Sequence, residues 1–198
     1  MTKYVVNSGG IFNGGDMGRA FFNEVIKGLG SSPIILMCFF ASPREEWQER
    51  FPKYTDGFKA VLSDRVDPTF ELALPEKFAA QVAACDALYM HGGDNDRIMT
   101  ALRQYDLPKT WDNKVVATNS ASSIALAAHS WTCDERKCVN GLGILPIRFI
   151  AHYQSNYGAD DPRGPIDWQK GYDELAAYGG QSLPIYALKE GELKVFEG

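Results

Sequence analysis

Ser120 stands at the apex of a polar turn in Lys114-Val115-Val116-Ala117-Thr118-Asn119-Ser120-Ala121-Ser122-Ser123-Ile124-Ala125-Leu126, between a β-branched apolar run and a run of small residues. That layout suits a nucleophile elbow: a strained strand-to-helix turn lifts a hydroxyl above the sheet, and small neighbours are needed because strand and helix nearly touch. The common form is G-x-S-x-G, and Thr118 and Ser122 depart from it at both flanking positions. If the Ser122 position demanded positive φ or very close contact, its side chain would cost about 1–3 kcal/mol of strain and misplace Ser120. A serine-rich helix cap uses the same residue types, so a nucleophile also needs a base.

The chain has three histidines. His91 precedes a Gly-Gly turn. His129 follows Ser120 by nine residues, at the far end of the expected elbow helix and so more than about 10 Å away at about 1.5 Å per residue. His152 follows the apolar stretch Ile147–Ala151 and opens a loop, where a strand end can offer its imidazole to Ser120. Asp134 and Glu135 lie between Ser120 and His152, and either is a candidate for orienting the imidazole.

Two glycine-rich turns follow strand-like runs. His91-Gly92-Gly93-Asp94-Asn95-Asp96 brings backbone N–H groups close to a developing negative charge, as an oxyanion hole requires, or else makes a tight turn capped by Asp94 or Asp96. Ser8-Gly9-Gly10-Ile11-Phe12-Asn13-Gly14-Gly15-Asp16-Met17-Gly18 fits neither the Walker loop nor G-x-G-x-x-G, and reads as a turn lining a cleft.

Positioning these groups requires a sheet. Strands are expected at 3–6, 33–40, 69–72, 87–91 and 114–117, with helices from Asp16 to about Lys27, after Pro43, from Pro75 to about Ala84, and from Asp96 to about Tyr105. This alternation predicts an α/β fold with a mainly parallel sheet and helices on both faces. Ala121–Ala128 is expected as a helix, Trp131–Asn140 as a loop or hairpin, Gly141–Ile150 as a strand interrupted by Pro146, and Asp167–Tyr178 as a helix. Pro184–Leu188 and Leu193–Phe196 read as a terminal hairpin around Glu190-Gly191. Trp168 and Tyr172, four apart on the expected late helix, either line a substrate cleft or pack that helix down, and Trp47, Phe51 and Tyr54 read as a core stripe.

The chain has 198 residues with 45% hydrophobic and 23% charged residues, enough for one folded domain over 1–198 with a sizeable core. Twenty basic against twenty-five acidic residues give a net charge of −5 with no basic block, which argues against nucleic acid. The most apolar run, Pro33–Ala41, is about half the roughly 18 residues of a membrane span, and the N-terminal residues lack a secretory h-region, so a cytoplasmic protein is expected. Cys38 and Cys85 sit in or beside apolar runs. Cys133 and Cys138, with four residues between them, lack the spacing and partners of a zinc site, which leaves a reversible disulfide as the alternative to two thiols.

With the Gly-Gly turn, the elbow serine, an acid and the histidine in this order, the chain resembles the peptidase E family over nearly its whole length. These are aspartyl dipeptidases and relatives, including cyanophycinases, on a class I glutamine amidotransferase-like three-layer fold. Gly92-Gly93-Asp94 stands where the family has Gly-Gly-Asn, and Asn119-Ser120-Ala121 stands in its G-x-S-A-G elbow. Gly141-Leu142-Gly143-Ile144-Leu145-Pro146, followed by His152-Tyr153, is similar to its G-L-G-L-x-P segment and His-aromatic pair. The resemblance implies Ser120 as nucleophile, His152 as base, Asp134 as third member, and the backbone N–H groups of Gly93 and Ala121 as oxyanion hole, with no metal or cofactor. Gly92, Asp94, Asn119, Arg163 and Trp168 are the implied substrate contacts. The family's aspartate-binding Arg is not matched: Trp168 stands nearest its place, with Arg163 and Lys170 as neighbours, so strict preference for N-terminal Asp is not expected.

These readings converge on a serine-type peptidase for short peptides, with a small peptide as partner and a homodimer as a further expectation. Its rivals are an impaired member of the fold that binds a ligand, suggested by Thr118 and Ser122, and a flavodoxin-like nucleotide or flavin binder using the 9–18 glycines.

Overall fold

The computed structural model describes residues 1–12, 16–62 and 66–198. Asn13-Gly14-Gly15 of the first glycine-rich stretch and the expected Asp16 side-chain cap lie outside what is described. The first half of the chain follows the expected alternation: β1 (Lys3–Asn7), α1 (Asp16–Ile26), β2 (Ile34–Cys38), α2 (Trp47–Val61), β3 (Thr69–Leu72), α3 (Phe78–Ala84), β4 (Ala87–Met90), α4 (Asn95–Leu102) and β5 (Val115–Asn119). Strands β1, β4 and β5 are buried almost throughout, as their uninterrupted apolar runs require once helices cover both faces of a parallel sheet.

The second half is α5 (Ala121–Leu126), β6 (Ala127–Thr132), β7 (Lys137–Asn140), β8 (Leu145–Ile150), α6 (Trp168–Ala177), β9 (Ile185–Ala187) and β10 (Leu193–Glu197). A six-stranded sheet runs β10-β1-β5-β4-β2-β3, parallel except for β10 at its edge. A second sheet runs β7-β6-β8-β9, in which β6, β8 and β9 are parallel and β7 is antiparallel. The larger core packs around the first sheet, and a smaller cluster of Trp131, Cys133, Ile150 and Leu175 sits with α6.

Two expectations change here. The elbow helix stops at Leu126, and Ala127–Ala128 already belong to β6. The carbonyls of Ala125, Ala127 and Ala128 are taken by the N–H groups of Leu142, Gly143 and Gly141, so the chain end of α5 is satisfied without further turns. Gly141 permits this approach, since a Cβ there would lie 2.1 Å from the Ala127 carbonyl oxygen. The terminal hairpin is also absent: β9 pairs with β8 in the second sheet and β10 with β1 in the first, so residues 188–192 cross between sheets.

Candidate active site

Ser120 follows β5 with φ 52° and ψ −112°, a left-handed conformation that a serine rarely adopts and that costs on the order of 1–3 kcal/mol. Hydrogen bonds hold it there. Its N–H donates to the Asn7 carbonyl at 3.0 Å, and its own carbonyl accepts from Ser123 at 2.8 Å and Ile124 at 3.0 Å. Ser122 is fully buried and not in the left-handed region. Its hydroxyl lies 2.7, 3.0 and 3.0 Å from the carbonyl oxygens of Met90, His91 and Asn119, bridging the elbow to the end of β4. Thr118 Oγ1 meets Ser123 Oγ at 2.8 Å, and Ser123 Oγ donates to the Asn7 carbonyl at 2.7 Å. The two departures from G-x-S-x-G are thus built into the turn.

His152 leaves the end of β8 with φ 57° and is buried. Its backbone N–H donates to Ser8 Oγ at 2.8 Å, and Ser8 Oγ donates to the Leu188 carbonyl at 2.7 Å, so one hydroxyl ties together the ends of β1, β8 and β9. His152 Nε2 lies 2.7 Å from Ser120 Oγ, and Nδ1 lies 2.9 Å from Glu190 Oε1. The imidazole passes so close to Gly9, at φ 122°, that a Cβ there would stand 2.2 Å from His152 Cε1. Burial lowers the His152 pKa from its ordinary value, while the Glu190 hydrogen bond and charge, and then the Asp134 charge, pull it upward. Burial is the largest of these effects, so the net direction is downward, toward the neutral imidazole.

The acid on His152 is therefore Glu190, not Asp134. Asp134 Oδ1 instead accepts from the Tyr157 hydroxyl at 2.9 Å, and Tyr157 lies flat on the His152 ring, with centroids 4.0 Å apart and planes at 16°. Glu135 turns to Lys137 at 2.9 Å. The Glu190 turn is anchored on β1: Gly191 N–H donates to the Gly9 carbonyl at 2.8 Å, and Asn7 Nδ2 donates to the Glu192 carbonyl at 3.1 Å. Nothing in the local sequence marks Glu190, because its place depends on the crossover between sheets.

These groups border a cleft of about 220 Å³ at the carboxyl ends of β1, β2, β4 and β5, where ligands of open α/β sheets bind. Gly9, Gly10, Ser42, Gly92, Gly93, Asn119, Ser120, His152 and Tyr157 line it, with Arg50 and His91. The Gly92-Gly93 turn packs against the elbow: a Cβ on Gly92 would fall 3.0 Å from Ser120 Cβ, and one on Gly93, at φ 142°, 2.6 Å from the Ala41 carbonyl oxygen. Ala121, the first residue of α5, has no intrahelical acceptor for its N–H. Asn119 is buried, and its Oδ1 has no hydrogen-bond partner among the described residues.

Other expected contacts lie elsewhere. Asp94 caps α4, accepting from Arg97 N–H at 2.9 Å, and does not line the cleft. Arg163 binds Asp161 and the Asp134 carbonyl. Trp168 and Tyr172 pack with Tyr153 in the smaller cluster, Trp168 also against Trp131. His129 bonds Asn140 at 2.9 Å and accepts from Gly180 N–H at 3.2 Å. Cys133 and Cys138 are free thiols. The sequence reading missed Arg50, which lies one helical turn from Glu46 and from Tyr54 and donates twice to Glu46 at 2.7 and 2.9 Å. His91 packs on Tyr54, with centroids 4.2 Å apart, and meets the Tyr89 hydroxyl at 3.0 Å. Burial, aided by Arg50 and Lys53, pushes its pKa down to about 3.

Two solved structures share this architecture. A peptidase from an acI-B1 Actinobacterium superposes with a TM-score of 0.65 at 17% identity, covering 99% of this chain and 83% of that one. A protein provisionally named Peptidase E from Listeria monocytogenes EGD-e gives 0.66 at 12% identity, covering 99% and 98%. No family model and no curated protein matches the sequence. The fold is peptidase E-like, an α/β fold with mainly parallel sheets.

Proposed function

We propose that this chain is a serine-type peptidase for short peptides, working in the cytoplasm as one domain over residues 1–198. The observation that carries the reading is the unbroken line from a strained serine through Ser120 Oγ–His152 Nε2 at 2.7 Å to His152 Nδ1–Glu190 Oε1 at 2.9 Å. Serine, base and orienting acid are in hydrogen-bond reach, as nucleophilic catalysis requires. The peptidase names carried by the two similar structures support the same class.

In this mechanism Ser120 Oγ forms a bond to the scissile carbonyl carbon as its proton passes to His152 Nε2. Glu190 holds the Nδ1–H tautomer and balances the imidazolium. The N–H groups of Gly93 and Ala121 receive the tetrahedral oxyanion. Its collapse breaks the C–N bond as His152 returns the proton to the leaving amine. Water, deprotonated by the same imidazole, then bonds to the acyl carbon, and the C–Oγ bond breaks as His152 returns the proton to Ser120 Oγ, releasing the acid product. A cleft of about 220 Å³ falls below the roughly 300–1,000 Å³ of drug-sized sites, which favours short substrates. Strict N-terminal Asp preference is not part of the proposal, because Arg163 is engaged with Asp161 and lies outside the cleft lining.

Intact mass after treatment with a fluorophosphonate tests this reading. Wild type should gain one adduct, Ser120→Ala none, and His152→Ala and Glu190→Ala should react slower by about 100-fold or more. An unlabelled wild type with intact circular dichroism would overturn it.

A further inference from the structure

The residue stacked on His152 has no place in the relay described above. Tyr157 covers one face of the imidazole at 4.0 Å and 16°, and lines the cleft. Its hydroxyl is fixed by Asp134 at 2.9 Å, on the turn between β6 and β7. The loop carrying Tyr157 is clamped to that same turn: Arg163 Nη2 donates to the Asp134 carbonyl at 2.7 Å, and Arg136 donates to the carbonyls of Arg163 and Gly164. Arg136 and Arg163 also share Asp161. A solvated aromatic resting on a surface histidine would need none of these ties.

We propose that Tyr157 is a positioning residue for His152, and that Asp134 acts on the imidazole through it, by holding the phenol ring flat against the histidine. The inference rests on the serine peptidase reading. Its physical content is a difference between states. In the peptidase reading His152 becomes imidazolium as it takes the serine proton, and an aromatic face attracts a cation more than a neutral ring. The stack therefore favours the charged form, and the Asp134 bond keeps the ring from turning away. Desolvation of the phenol, and after it the Asp134 charge and hydrogen bond, hold Tyr157 well above its ordinary pKa, so it stays protonated and keeps donating across the working range.

The groups acting on His152 are Glu190 from the β9–β10 crossover, Asp134 from the β6–β7 turn, Tyr157 from its own loop and Ser120 from the elbow. Cys133, next to Asp134, has its thiol pushed up to about 12 by burial and so is uncharged, while Arg50 and His91 line the same cleft.

Two readouts test the proposal on the chain of residues 1–198. The first is the rate of fluorophosphonate labelling of Ser120 between about pH 5 and 9, which brackets histidine titration. The second is the His152 imidazole titration followed by NMR, which needs no activity. Tyr157→Leu should slow labelling about 10-fold and move both the acid limb and the NMR titration down by about half a pH unit. Tyr157→Phe keeps the ring and the packing but loses the bond to Asp134, so Asp134→Ala, which removes the acceptor, should slow wild type more than it slows Tyr157→Phe, where only the direct pull of the Asp134 charge on His152 is left to lose. An unmoved titration in Tyr157→Leu, or equal effects of Asp134→Ala in both backgrounds, overturns the inference. An unlabelled wild type defeats the peptidase reading instead, and the NMR titration still decides the stack.

Discussion

Ser122 shows how a side chain that breaks a motif can be the one that holds it. Where the pattern calls for glycine, its hydroxyl faces three carbonyl oxygens within 3.0 Å, and it donates its single proton among them. Ser122→Ala removes that donor from a fully buried site and should cost about 1–3 kcal/mol, read as a lower Tm with labelling of Ser120 retained. His91 sets a second expectation. Its pKa is about 3 in the fold against roughly 6.5 in the unfolded chain. The unfolded chain therefore takes up a proton, as pH falls below about 6.5, that the folded chain refuses. Stability is full above that value and declines toward pH 3 by up to about 1.4 kcal/mol per pH unit. Urea titrations at several pH values should show this slope, and His91→Gln should reduce it. Ser120 and His152 were legible because their types and flanking patterns are local. Glu190 was not, because a glutamate before a glycine in a turn looks the same wherever the strands beyond it go.

The elements were legible where hydrophobic period and punctuation agreed, as in β3, whose bounds match the expectation, and β1 and α1, which differ by a residue at one end. They were misread where a contact distant in sequence decides. Small residues at 121–128 suit a helix, yet Gly141 and its neighbours claim the carbonyls that would end it, and the chain enters β6 early. Arg148 on β8 is another such contact. Buried, and with no carboxylate partner among the described residues, it donates to the carbonyls of Leu175, Ala176, Gln181 and Leu183, closing the C-terminal end of α6. Arg148→Met strands these carbonyls and should cost about 3 kcal/mol or more, measured by urea denaturation. Lysine should rescue only part of this, since an ammonium lacks the guanidinium's planar fork.

At the scale of the molecule, the parallel alternation foretold the first sheet and the helices on its faces, while the second sheet emerged only with the pairing of β6, β8 and β9. No helix among the described residues is long and apolar enough to cross a membrane. The two sheets contribute separately to the relay: Ser120 ends β5 of the first, His152 follows β8 of the second, and Glu190 rides the strap that joins β9 to β10. Each hydrogen bond of the line thus spans a seam, and the serine–histidine–glutamate line works as a vernier on the alignment of the two halves. A slip of about 1 Å between sheets costs little secondary structure but misaligns the reacting groups by an amount that can slow a reaction about 100-fold. In rising urea, labelling of Ser120 should therefore fade before the far-ultraviolet dichroism changes. Coincident midpoints would mean that the seam holds as firmly as either sheet.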